Sequence, residues 1–127
     1  MPFIDIIAFI EQTGWRVSRN DFLGEFEQIV LLTVARLGDN AYGVAIRREI
    51  DERAGRPVAI GSVYAALDRM ERKGFLASAV GDPTPVRGGR AKRYYELRPA
   101  GAATLQRSRD LLNDLWDGVA IDPESFA

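Results

Sequence analysis

The stretch IGSVYAALDRMERKGFLASAVGDPTPVRGGRAKRYYELR, residues 60–98, decides the fold. Val63, Leu67 and Met70 stand at i, i+4 and i+7, one apolar side of a helix that starts after Gly61 as its N-cap, runs to Lys73 and stops at Gly74. The opposite side is expected to carry Ser62, Ala65, Ala66, Arg69, Arg72 and Lys73, with no acid and no bulky aliphatic in its first half. A helix that needed only solubility would place Glu or Lys there. Residues 75–80 (FLASAV) and 93–98 (RYYELR) alternate as strands do. The glycines and prolines between them make a long hairpin tip, and Arg87, Arg90, Lys92 and Arg93 face a single acid, Asp82. A helix followed by a hairpin with a positive tip is the second half of a winged helix.

Upstream, EFEQIVLLTVARL (25–37) sets Phe26, Ile29, Val30, Val34 and Leu37 at helical spacing before Gly38, a buried core helix. After Gly38-Asp39-Asn40 a second helix spans residues 43–54, with Tyr42, Ile46 and Ile50 on one side and Gly55 and Pro57 at its end. The short turn from this helix to the third matches a helix-turn-helix. Downstream, Pro99 suits the first turn of a last helix over residues 100–117, where Leu105, Leu112 and Val119 fall seven apart, with Ser108 and Leu115 between them. The fold class is mainly α with a small β-hairpin. The expected divisions are an N-terminal extension (1–21), a winged helix (22–98), a C-terminal dimerisation helix (99–118) and a tail (119–127).

Composition narrows the function. Among 127 residues there is no cysteine and no histidine, so disulfides, thiolate and imidazole catalysis, and zinc sites of the usual kind are excluded. No cofactor or metal is expected. A carboxylate enzyme using a pair such as Asp68 and Glu71 has no cleft in which to work. The net charge is −1, yet it is uneven: residues 1–41 carry −3, residues 42–98 carry +5 and residues 99–127 carry −3. A neutral total therefore hides a basic middle. The apolar run MPFIDIIAFI (1–10) is shorter than the ~20 residues that span a bilayer, and its first positive charge, Arg16, follows it, opposite to a signal peptide. The chain is expected to be cytoplasmic, with no membrane partner. Phe3, Ile7 and Ile10 would give an N-terminal helix one apolar side.

A helix fits the major groove of DNA, and small or hydroxylated residues at its N-terminal end let the backbone approach base edges. A basic glycine-rich tip can follow phosphates or enter the minor groove. Three blocks in order, LGEFEQIVLLTVARLGDNAYGVAIRREI (23–50), IGSVYAALDRMERKGFL (60–76) and GGRAKRYYELRPAG (88–101), resemble the PadR family of bacterial transcriptional regulators. The similarity covers about residues 22–117, and the single short C-terminal helix is similar to the smaller of the family's two subgroups. One departure is Arg98-Pro99-Ala100-Gly101, where the family more often has a Leu-Thr-x-x-Gly-like opening.

The resemblance implies a homodimeric repressor of an inverted-repeat operator, often relieved by a small-molecule effector. Carried over by position, it implies Ser62, Tyr64 and Ala65 at the groove, Tyr42 near a phosphate, and Arg90 and Lys92 as wing contacts. Tyr64 has two readings, a partly buried core tyrosine or a DNA contact through its hydroxyl. Arg69 has two as well, a phosphate contact or a partner of Glu71 or Asp68. Leu105, Leu112, Leu115 and Trp116 form the expected dimer seam, with Trp116 also a candidate for the effector. The alternative function is a winged-helix module that binds an acidic protein instead of an operator.

Overall fold

A computed structural model of the chain describes residues 22–81 and 91–126. Residues 1–21, read as an N-terminal extension, lie outside them, as do Arg87 and Arg90. Helix α1 spans Glu25–Leu37 and buries Val30, Leu31, Thr33 and Val34. Its start is held by Glu27, whose carboxylate accepts the Gly24 N–H at 3.3 Å. Helix α2 spans Gly43–Ala54 and buries Ile46 and Ile50. Gly55 follows at φ +68°, a left-handed position that glycine takes without strain. Asp51 near that end accepts the Val58 N–H at 2.7 Å, fastening the turn into the next helix.

Helix α3 spans Ile60–Arg72. Its first bonds run to the Ala59 carbonyl, from Ser62 at 3.1 Å and Val63 at 3.3 Å. Ala59 is therefore the cap, and the expected Gly61 lies one residue inside the helix. Its buried residues are Val63, Ala66, Leu67 and Met70. Ala66, expected on the outer side, is fully buried. It stands three residues after Val63 and four before Met70, so helical geometry puts it on the same stripe.

Strands β1 (Leu76–Val80) and β2 (Arg93–Leu97) pair antiparallel, from Leu76 opposite Leu97 to Val80 opposite Arg93. The first strand begins one residue later than its alternation suggests, because Phe75 still donates its N–H to Met70 at 2.9 Å and so closes α3. Arg98 likewise leaves the second strand to cap the next helix. A third, short edge joins the hairpin: Tyr95 N–H donates to the Ala41 carbonyl at 2.8 Å, and Tyr42 bridges Tyr94. Tyr95 packs inward against the core, and burial, with a contribution from the nearby Glu71 charge, pushes its phenol above the ordinary value near 10.0.

Helix α4 spans Pro99–Trp116, with Pro at its first position, and among its own residues buries only Gly101 and Thr104. The Thr104 hydroxyl donates to the Ala100 carbonyl at 2.9 Å, so its burial leaves no orphan group. The core is centred on Phe75, Leu31, Ile46, Leu67 and Met70, all fully buried. The described residues thus form a winged helix followed by one further helix, α4.

The tightest approach is at Gly101, where a Cβ would overlap the Phe75 carbonyl and press on Leu97. That carbonyl cannot retreat, because it accepts the Arg98 N–H at 2.9 Å. Gly101→Ala is therefore expected to cost about 1–3 kcal/mol, the usual range for overpacking, read as a fall in Tm. An unchanged Tm would show that α4 can shift freely on the domain.

Candidate nucleic-acid interface

The outer face of α3 is built from its first two turns. Gly61, Ser62, Tyr64 and Ala65 are exposed there, and Ile60 at the first position is 38% exposed. Because the helix starts at Ile60, this half does carry one bulky aliphatic, contrary to the expectation that it had none. The first acid on α3 is Asp68, and it pairs with Arg72 one turn on.

Tyr64 is partly covered, as its reading as a partly buried tyrosine expected. It is 45% exposed, yet its ring lies directly over Gly43 at the start of α2, where any Cβ would overlap Cε1, Cζ and Oη. The Tyr-Gly pair that opens helix two and the Ser-Val-Tyr of helix three are thus two sides of one contact. Sequence reasoning noted both blocks and missed their dependence on each other. The available signal was a glycine inside a helix that had no turn to make.

Arg69 pairs with neither Asp68 nor Glu71. Its Nε lies 3.6 Å from Glu27 of α1, and Lys73 Nζ approaches the same carboxylate at 3.8 Å. Neighbours one and two apart on a helix do not face each other, so a partner from another element wins. Arg69 remains 47% exposed along its side chain. Glu71 instead accepts the Ser78 hydroxyl at 2.5 Å, and Arg93 donates to that hydroxyl at 2.9 Å. This chain ties α3 to the hairpin.

At the wing root, Lys92 Nζ lies 4.2 Å above the centroid of the Tyr42 ring, a cation–π contact. Tyr42 meets Tyr94 edge to face at 5.7 Å and 71°. Tyr94 in turn covers Gly81, where a Cβ would come within 2.7 Å of Tyr94 Cε2. The two expected residues Tyr42 and Lys92 are therefore brought together, at the junction of helix two and hairpin. Among the described residues no group of three or more potential metal ligands is placed to hold an ion, and no helix is long and apolar enough to cross a membrane.

On the far side, Leu105 packs partly against the core, whereas Leu112 is 48%, Leu115 64% and Trp116 57% exposed. Leu105 and Leu112 line an apolar groove of about 450 Å³ with Leu32 and Ala35 of α1. Leu32 had been read within a core helix, yet it is 54% exposed.

With this geometry in place, similarities to known proteins are informative. The profile of the transcriptional regulator PadR-like family matches residues 31–107. The chain is 35% identical over 77 residues to transcriptional regulator Rv3488 of Mycobacterium tuberculosis, covering 61% of this chain and 67% of that protein. Among solved structures it is similar to a PadR family transcriptional regulator of Eggerthella lenta, with TM-score 0.59, 22% identity and 91% and 90% of the two chains covered. It is also similar to RosR of H. salinarum in the hsRosR-S4 complex, with TM-score 0.63, 24% identity and 80% and 83% covered. At these identities the structural likeness concerns the fold.

The Tyr64–Gly43 contact has a measurable consequence. Gly43→Ala should displace the Tyr64 ring, and in a Tyr64→Ala background the same change should be nearly neutral. A double-mutant cycle in urea is expected to give a coupling of about 0.5–3 kcal/mol. Zero coupling would mean that the two helices pack independently at this point.

Proposed function

This chain belongs to the PadR-like family of transcriptional regulators, and from that premise we propose that it is a repressor that binds an inverted-repeat operator as a homodimer. In this reading residues 22–98 are the winged helix that contacts DNA, 99–118 the dimerisation helix and 119–127 a tail. Regulators of this family bind DNA and act without catalysis, on the chromosome in the cytoplasm. The observation that carries the proposal is the outer face of α3. Its first two turns are exposed and free of carboxylates, with Ser62, Tyr64 and Ala65 outward, and Lys92 stands beside Tyr42 at the wing root. Ser62, Tyr64 and Ala65 then enter the groove. Tyr42, Arg69, Lys92 and Arg90 serve the phosphates.

Lysine and arginine on phosphates release counterions, so affinity falls with salt, with a log–log slope near −0.9 per contact. Fluorescence anisotropy with duplex DNA over a salt series should give a steep line. Lys92→Ala should weaken binding to all sequences alike and flatten the slope by about 1. A chain that binds no duplex, or binds it without salt dependence, would instead be a winged-helix module for an acidic protein.

The exposed apolar side of α4 supports the dimer. Leu112, Leu115 and Trp116 are too apolar to leave in water, at roughly 1.5–3 kcal/mol per fully buried side chain. A second copy related by a two-fold axis covers them with the same surface. It also presents two α3 helices to half-sites about one helical turn apart, ~34 Å. Leu112→Asp should yield folded monomers by light scattering that lose affinity for a duplex with two half-sites. In a Trp15→Phe background, the fluorescence of Trp116 follows the same seam and would report a small-molecule effector bound there. A folded monomeric mutant with wild-type operator affinity would separate the seam from DNA binding.

A further inference from the structure

We propose that α3 reads the C5-methyl groups of thymine in the major groove, with Gly61 at the point of closest approach. The inference rests on the DNA-binding reading above and specifies what that site selects. Base edges have distinct partners: Arg or Lys for guanine, Asn or Gln for adenine, and apolar contacts for the thymine methyl. From Ile60 to Leu67 the helix has no Arg, Lys, Asn or Gln. Val63, Ala66 and Leu67 are buried, so the residues left at the surface are Ile60, Gly61, Ser62, Tyr64 and Ala65. Methyl groups and two hydroxyls are what this face can offer. The cations further along α3 already have carboxylate partners, since Arg69 lies 3.6 Å from Glu27 and Arg72 pairs with Asp68.

Gly61 supplies the second, independent observation. Glycine within a helix costs stability relative to alanine. Here the backbone makes no demand for it, because Gly61 is not among the glycines at positive φ. The packing makes none either, because a Cβ at this position would meet nothing within 4 Å. Gly43 and Gly101, by contrast, are each required by a side chain or carbonyl laid against them. A helical glycine that the fold does not need, on the outward side between Ile60 and Ser62, suits a surface outside the chain. In a groove filled by this helix, that surface is the base edge. Ile60 at the helix start, 38% exposed, brings its methyl groups to the same face.

The test uses the full chain. A random duplex library is selected for binding, and the recovered duplex is resynthesised with deoxyuridine replacing thymidine, one position at a time. Deoxyuridine removes the methyl and keeps the hydrogen-bonding edge. At contacted positions the swap is expected to weaken binding about fourfold, the factor that corresponds to one buried methyl at ~0.8 kcal/mol. Ile60→Ala or Ala65→Gly should bring the thymidine-to-deoxyuridine ratio toward one at its own position. Gly61→Ala should leave Tm unchanged or raise it by a few degrees, while weakening the thymidine duplex at least fivefold. The inference is overturned if deoxyuridine is bound as tightly as thymidine throughout. It is equally overturned if the ratio persists unchanged in both side-chain variants, since the penalty then reflects DNA shape. Failure to enrich or bind any duplex would overturn the DNA-binding reading itself, and it is recognised without any deoxyuridine measurement.

Discussion

Phe75 fastens three elements at one point. Its N–H donates to the Met70 carbonyl and closes α3. Its ring is fully buried at the centre of the core. Its carbonyl accepts the Arg98 N–H as the chain leaves the hairpin, and Gly101 lies against that same carbonyl. The end of α3, the root of the wing and the first turn of α4 therefore cannot move separately. Each contact needs a particular residue type: a large apolar ring for the core, a glycine for the close approach, a free N–H at Arg98. The positions of α3 and of the hairpin relative to each other follow from this joint and from the Tyr42–Tyr94 bridge at the opposite side of the sheet.

Within that frame, α3 divides its charges from its reading surface. The basic residues that follow its second turn face carboxylates of the domain itself: Glu27 takes Arg69 and Lys73, and Asp68 takes Arg72. Glu27 also caps α1, so one carboxylate orients two helices. The exposed Asp68–Arg72 pair contributes little stability, ~0–1 kcal/mol. The effect of these pairs is on direction. Glu27 draws Lys73 and the still half-exposed Arg69 toward the edge of α1, and the Asp68–Arg72 pair runs along α3 itself, so the N-terminal turns of α3 stay unobstructed. Arg69, Arg72 and Lys73 thus lie beyond the second turn of α3, and Lys92 and Arg93 stand at the wing root, off the part of the helix that would contact bases.

Most of the helical frame was legible in the sequence, because the helices carry apolar stripes at helical spacing and α1 and α2 end at a glycine. Val63, Leu67 and Met70 located α3, and the alternation of 93–98 located β2 to within a residue. What was not legible depends on partners distant in sequence or on one-residue offsets. Ala66 was placed outside because alanine carries too little hydrophobic signal to reveal its own burial. Gly61 resembles an N-cap by type, but the first hydrogen bonds go to Ala59, a residue with no capping side chain. The partner of Arg69 could not be read at all, since Glu27 is 42 positions away and only the packing of α1 on α3 brings them together. The same holds for Gly43 beneath Tyr64 and for Leu32 beside Leu112. In each case local propensity identifies the element, and tertiary contact identifies the role.

The last helix shows how far one joint can reach. Of its own residues α4 buries only Gly101 and Thr104, both in its first two turns, with Leu105 partly covered beside them. From Leu111 onward its apolar side chains are open to solvent. The helix is thus anchored at one end and projects from the other. In the proposed dimer, the projecting half sets how two chains cross, and the anchored half passes that crossing to the domain through Gly101 and the Phe75 carbonyl. That contact has no slack, because a carbonyl held by the Arg98 N–H sits where a Cβ would be. A rotation of the seam must then move the whole winged helix as a body, and with it the separation of the two α3 helices. Half-site spacing on DNA and packing in the seam become two expressions of one geometry. A change far from the DNA, at Leu112 or Trp116, would be felt at the groove without any side chain of α3 being altered.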